Sequence, residues 1–320
     1  MHDTTVLVIG SASDPSLRLL PEAGDGVRFV LGKGADEFGG AAGEAEAVFF
    51  SGARPHVIDG VLAAAPRVRW VHARWAGLEG LLSTALAAHP AVLTNARGVY
   101  SGALAEFVVG AILYFAKDLA RMVRNQRAEI WEPFDVEEVR GKTLGIVGFG
   151  HIGATVADRA RGLGLRVLAL RRGAAAADDR VDEWVPRRQL PDLMARSDYV
   201  AVALPATVET YHLVDAAAIE AMKPSAVFVN VGRGSTVDEA ALVAALEARR
   251  IRGAALDVFE TEPLPAGHPL YRLENVLVSP HCADHTPTWR DDAVRLFLEN
   301  LARFRRGAPL ENVVDKARGY

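Results

Sequence analysis

Short, continuous apolar runs punctuate the first third of the chain, at residues 6–9, 27–31, 47–50, 68–72 and 91–94. Runs without polar alternation suit parallel strands covered on both faces. From Ser101 the spacing changes. Leu104, Phe107, Val108, Ala111, Ile112, Phe115 and Leu119 recur at helical intervals, which predicts a long buried helix on the hinge side of a domain connection. A second series of apolar runs follows at 143–148, 166–170, 199–204, 226–230, 254–257 and 275–279, separated by helical segments such as 154–161 and 239–249. Strands alternating with helices predict a parallel, doubly wound sheet. A last helix is predicted over 288–306, with Trp289, Ala293, Leu296, Leu301 and Phe304 along one side, placed where the chain can cross back to the first domain. Residues 173–177 read as a short flexible turn.

A length of 320 residues suits about two domains of ~150 residues each. Half of the residues are apolar and about a quarter charged, the balance of a chain that buries real cores. The net charge of -4 argues against a general nucleic-acid binder, so any basic site must be local. Cys282 is the single cysteine, which excludes an intrachain disulfide and fits a reducing cytosol. Residues 1–9 carry no basic leader. The apolar stretch around 107–115 is interrupted by Gly110 and flanked by Glu106 and Lys117, too short to span a bilayer. The expectation is a cytoplasmic protein with no membrane segment.

The candidate chemistry lies in three ordered signatures: Asn230-Val231-Gly232-Arg233-Gly234, then Leu256-Asp257-Val258-Phe259-Glu260-Thr261-Glu262-Pro263-Leu264, then Ser279-Pro280-His281. Arg233 supplies a cation able to clamp a carboxylate through two parallel bonds, His281 carries a proton near neutral pH, and Glu262 can fix its tautomer. Taken singly each has a bland reading: Arg233 in a surface ion pair, Asp257 as a cap, Glu262 as a solvated acid, His281 as a core histidine. Their order at the ends of predicted parallel strands favours a site, because open α/β sheets bind ligands there. His281 and His285 are four apart and invite a metal reading, but Pro280 and Pro287 argue against the helix that would turn both one way. No metal is expected.

Gly148-Phe149-Gly150-His151-Ile152-Gly153 follows a predicted strand and opens a predicted helix, the context in which a glycine fingerprint binds a dinucleotide pyrophosphate. About 20 residues further on, an acid would hydrogen-bond the ribose of NAD. Arg171 and Arg172 stand there instead, which favours NADP over NAD, against the plainer reading of two solvated arginines in an arginine-rich chain.

With Gly141-Lys142-Thr143-Leu144-Gly145-Ile146-Val147-Gly148 and Leu204-Pro205-Ala206-Thr207 added, these motifs resemble the D-isomer-specific 2-hydroxyacid dehydrogenases, most densely from about Asn95 to His285. The resemblance implies an α/β protein of two Rossmann-like or flavodoxin-like domains with parallel sheets. The substrate domain is discontinuous, 1–96 with 287–320, around a nucleotide-binding domain at 97–286. A homodimer formed through the nucleotide domain is implied as well. Residue by residue, Arg233 is implied to bind the substrate, His281 to be the acid/base and Glu262 to pair with it, with Asp257 a carboxylate near the nicotinamide. Cofactor contacts fall to the fingerprint residues, Arg171, Arg172, Leu204, Pro205, Thr210, Val231, Gly232, Asp257 and His281. Arg74, Trp75, Ala76 and Gly77 match a substrate-binding loop, equally readable as a wedged aromatic with an exposed arginine; Tyr100 and Trp289 are equally readable as packing. The family chemistry transfers a hydride between a nicotinamide and C2 of a small anionic 2-oxo or 2-hydroxy acid, with the site in the cleft between domains. The arginine pair suits NADPH-driven reduction of glyoxylate or hydroxypyruvate. The rival readings are a dinucleotide-sensing corepressor on the same fold, and a formate- or phosphite-type dehydrogenase. Formate dehydrogenases have glutamine where this chain has Glu262.

Overall fold

The computed structural model describes residues 3–52, 56–171 and 178–320, with Arg171 described by its backbone alone. The chain divides into two compact units, residues 1–100 with 286–320, and residues 101–285. The turn expected at 173–177 lies outside the described residues, as does Arg172.

The first unit is built on five parallel strands, β1 (Thr4–Ile9), β2 (Val27–Gly32), β3 (Ala47–Phe50), β4 (Trp70–Ala73) and β5 (Val92–Asn95), in the order β2-β1-β3-β4-β5. This is the flavodoxin-like order. All six residues of β1 are buried, because its alternate side chains enter different cores. Leu7 and Ile9 join Ile58, Val61 and Leu86 on one face, while Val6 and Val8 join Val294, Phe297 and Leu301 on the other. The helix Trp289–Arg305 covers that second face, and its Phe297 stacks on Phe49 with ring centres 4.1 Å apart. Its buried stripe is Ala293, Val294, Phe297, Asn300 and Leu301. This stripe is rotated from the one that spacing predicts: Leu296 is only partly covered, and Val294 and Phe297 carry the contact.

The second unit holds seven parallel strands, β6 (Thr143–Val147), β7 (Arg166–Arg171), β8 (Glu183–Pro186), β9 (Tyr199–Val202), β10 (Val227–Asn230), β11 (Gly253–Leu256) and β12 (Val276–Val278). Their order is β12-β11-β10-β9-β6-β7-β8, so chain direction across the sheet reverses between β6 and β9. Ligands of doubly wound sheets bind at the carboxyl ends of strands beside that reversal. The apolar runs give no sign of β8. It offers only Trp184 and Val185 as apolar residues and ends in Pro186, which cannot donate to a ladder and so suits this edge position.

The long helix expected from Ser101 stops at Ala116, and a second helix runs Leu119–Arg127. Asp118 breaks the run with a left-handed backbone (φ 47°) and caps the second helix by accepting the Arg121 N–H. Leu119, which spacing alone places on the buried face, is consequently exposed. Among the described residues no helix is long and apolar enough to cross a membrane.

Candidate active site

The fingerprint follows β6 and opens the helix His151–Gly162. Gly148 has φ 104°, and a Cβ there would lie 2.7 Å from the Ala203 carbonyl oxygen. A Cβ on Gly153 would lie 2.3 Å from the Gly148 oxygen, so the helix packs directly on the turn. Gly150 differs: a Cβ would meet nothing within 4 Å, and no side chain caps the helix that begins beside it. Open space over a glycine, at a helix terminus whose first N–H groups have no partner within the helix, fits a pyrophosphate approaching the backbone. Phe149 packs edge-on against Trp184, 4.8 Å between centres, and fixes the outer side of the turn to β8. Arg171 ends β7, its backbone paired with Pro186; its side chain and all of Arg172 lie outside the described residues.

Across the reversal, Leu204 and Pro205 follow β9. The Thr210 hydroxyl donates to the Pro205 carbonyl at 2.6 Å and accepts the Thr207 N–H, which closes the 205–210 turn. Gly232 sits against Leu204, where a Cβ would come within 2.7 Å of its backbone nitrogen and oxygen.

Arg233 follows β10 and the buried Val231. Its carbonyl accepts from the Thr236 hydroxyl at 2.6 Å and from the Asn230 amide at 3.2 Å, while its guanidinium donates to the Gly232 carbonyl. Gly234 is wedged against the next strand-end loop, with a hypothetical Cβ 1.9 Å from the carbonyl carbon of Phe259. No side chain fits between the arginine-bearing and glutamate-bearing segments, so the two are placed as one.

Glu262 uses both oxygens. Oε1 accepts the Phe259 N–H at 2.9 Å, and Oε2 accepts from His281 Nδ1 at 2.7 Å. A carboxylate only accepts, so Nδ1 carries the proton and Nε2 is the nitrogen left to exchange one. Asp257, almost fully buried at the end of β11, braces the histidine from behind. Its Oδ1 accepts from the Ser279 hydroxyl at 2.6 Å and from the N–H groups of Cys282 and Ala283 at 2.9 and 3.1 Å. These bonds flank His281, whose φ of 52° costs on the order of 1 kcal/mol and needs such support. Burial pushes the nearby Asp284 carboxyl up, against the pull of His285 and His281. Among the described residues no group of three potential metal ligands occurs.

In the first unit, Arg74 turns inward rather than presenting its charge. Its guanidinium donates to the Ser51 carbonyl and hydroxyl, to the Ser16 hydroxyl and to the Asp14 carboxylate, and it is 3 % exposed. Burial alone would raise the Asp14 carboxyl, but bonds from Arg74 and Ser16 prevail and hold it at about 2. Arg74 thus ties together the loops after β1, β3 and β4, a task for which Asp14, Ser16 and Ser51 carry no sequence signal. Tyr100 donates to the Arg74 carbonyl at 2.6 Å, and Trp289 lies edge-on to Tyr100 and under the guanidinium. Trp75 is exposed beside Phe50, the Ala76 carbonyl accepts from Asn95, and Gly77 continues the loop partly buried.

A dinucleotide-type fold and a histidine–carboxylate pair beside an arginine define a class of oxidoreductase, and comparison with known proteins specifies it. Residues 109–283 match the model for the NAD binding domain of D-isomer specific 2-hydroxyacid dehydrogenases. A glyoxylate reductase of Korarchaeum cryptofilum is 37% identical over 265 residues, covering 80% of this chain and 79% of its own length. A glyoxylate/hydroxypyruvate reductase B of Serratia proteamaculans is 34% identical over 288 residues, covering 88% and 87%. The crystal structure of a D-isomer specific 2-hydroxyacid dehydrogenase from Xanthobacter autotrophicus Py2, in complex with NADPH and MES, superposes with TM-score 0.87 at 32% identity, covering all of both chains. The chain belongs to the D-isomer specific 2-hydroxyacid dehydrogenase family, and is an NAD(P)-dependent enzyme of that class.

Proposed function

We propose that this enzyme reduces glyoxylate, hydroxypyruvate or a similarly small 2-oxo acid, with NADPH as preferred donor. The observation that carries the reading is the Glu262–His281 pair, in which one oxygen fixes the imidazole tautomer and the other ties the carboxylate to the Phe259 backbone. Residues 148–153 with Leu204, Pro205, Thr210, Val231 and Gly232 would hold a nicotinamide cofactor, which would supply the hydride. Arg233 binds the substrate carboxylate and orients the 2-oxo group. His281 gives its Nε2 proton to the oxygen that gains negative charge as C2 is reduced, and Glu262 stabilises the imidazolium before transfer. One hydride and one proton convert the C2 carbonyl into a hydroxyl. NADP preference is supported by Arg171 and Arg172 in place of the expected acid, and by the NADPH complex of the Xanthobacter relative.

A homodimer is supported by the 128–142 segment. Glu137 anchors it, accepting from the Tyr199 hydroxyl at 2.6 Å and from Lys142, while Ile130, Trp131 and Val136 stand exposed, Trp131 at 97 %. Such an apolar stretch on an anchored arm suits a second copy of the chain. The single cysteine suits a cytosolic setting. The deciding experiment follows NADPH and NADH oxidation with glyoxylate, hydroxypyruvate, pyruvate and branched 2-oxo acids. Turnover is expected with the small acids and NADPH; tight cofactor binding without turnover on any of them would favour a dinucleotide sensor.

A further inference from the structure

His212 lies outside every motif that led to the site, yet it touches two of the segments that build it. Its backbone N–H donates to the Ser235 carbonyl at 2.9 Å, in the loop that carries Arg233. Its Nε2 bonds the Glu260 carboxylate, in the turn that carries Glu262. The next residues continue the attachment, with the Val214 N–H on the Thr236 carbonyl at 3.0 Å. From its other side, the Glu260 N–H donates to Glu239 at 3.1 Å, and Glu239 lies 3.5 Å from His268 Nε2.

His212 holds this place at a backbone cost, with φ 45°, and its ring is stacked on Tyr211 at 4.1 Å between centres and 10° between planes. A histidine stacked on one face, with one nitrogen bonded to a carboxylate, has a fixed direction. The pair is about one-third exposed, so its contribution to global stability is small. Position is its main consequence. The 259–262 turn sets Glu262 through the Phe259 N–H, and Gly234 packs this turn against the arginine loop without a gap. A lateral shift of the turn would therefore move Glu262 away from His281 and unseat Arg233 together.

We infer that His212 and Glu260 form a positioning clasp that fastens the Glu262 turn to the Arg233 loop and so sets the alignment of the proton-transfer pair. Its catalytic consequence rests on the 2-oxo acid reductase reading. Both act through other groups: their side chains bond each other, and the proton-transfer bond belongs to Glu262 and His281.

The test combines kinetics with hydrogen exchange on the full-length protein. His212→Ala, Glu260→Ala and the double variant are each expected to lower kcat for glyoxylate about ten-fold, by misalignment, while NADPH affinity changes less than about two-fold. The double variant should be no worse than either single one. His212→Gln, whose amide nitrogen can reach Glu260 as Nε2 does, should recover most of the loss. In a Glu262→Gln background, Glu260→Ala should cost less than the roughly ten-fold it costs alone, because the part of its effect that runs through the Glu262 charge is already lost and only the part through Arg233 remains. Independently of turnover, exchange in a peptide covering 257–264 should rise in His212→Ala and return in His212→Gln. Unchanged kcat, multiplying single effects, or unchanged exchange in that peptide would overturn the clasp. Failure of the reductase reading has a different signature, absence of turnover in the unmodified protein, and leaves the exchange measurement to decide the clasp alone.

Discussion

Glu262 meets His281 Nδ1 at 2.7 Å through one carboxylate oxygen while its other oxygen takes the Phe259 N–H at 2.9 Å. The carboxylate is therefore a link between the histidine and the backbone of its own turn. Glu262→Gln keeps the shape of this link but loses the charge that stabilises the imidazolium. Turnover should fall about 10²-fold with cofactor affinity unchanged, measured by steady-state kinetics and NADPH titration. A loss below about two-fold would remove Glu262 from the relay.

Gly234 allows the arginine loop to lie on the 259–260 peptide. Adding a methyl by Gly234→Ala would place a carbon 1.9 Å from the Phe259 carbonyl carbon, where only backbone movement can make room. KM for the 2-oxo acid should rise and kcat fall, while NADPH binding persists. An alanine variant with wild-type kinetics would show that the two segments move independently.

Arg171→Asp should exchange the cofactor preference. A carboxylate at the end of β7 repels the 2′-phosphate of NADPH and bonds the ribose hydroxyls of NADH. The ratio of kcat/KM with NADPH to that with NADH should drop at least about ten-fold, and an unchanged ratio would assign the preference elsewhere.

His72 is fully buried between Trp70, Phe49 and Phe297, and burial pulls its imidazole down to about 3. Its Nδ1 shares a hydrogen bond of 2.8 Å with the Thr94 hydroxyl, which accepts from the Trp70 indole N–H. A base with a depressed folded value leaves stability untouched above about 6.5 and removes it as pH falls from there toward about 3, because the unfolded chain binds the proton first. At pH 5 the loss is ~2 kcal/mol relative to pH 7. Urea unfolding of the full chain should show this slope, and His72→Phe should flatten it. An equal slope in the variant would place the acid sensitivity in other groups.

Trp131→Glu tests the arm. The exposed indole sits on the anchored 128–142 segment, and a charge there should shift sedimentation toward the monomer while the circular dichroism spectrum stays that of the folded chain. A dimer of undiminished stability would place the interface elsewhere.

The strands of both units are legible because parallel strands buried on two faces write themselves as unbroken apolar runs. β8 is hidden, since an edge strand needs only one apolar face and this one offers Trp184 and Val185. The division of the 101–127 stretch is equally hidden: helical spacing continues through Leu119, and only the left-handed Asp118 interrupts it. Within the site, the residues that the motifs name are visible, but their supports are not. Arg74 reads as a free cation until the structure supplies Asp14, Ser16 and Ser51 as partners. His212 and Glu260 are 48 residues apart and belong to no shared pattern, so their bond exists only in the fold.

The most direct test of proton transfer by His281 compares the unmodified protein with His281→Ala under saturating NADPH and glyoxylate or hydroxypyruvate. Steady NADPH oxidation in the unmodified protein, a fall in kcat of about 10²- to 10⁴-fold in the variant, and equal NADPH affinity in both are the expected result. Comparable turnover in the two proteins would contradict the assignment.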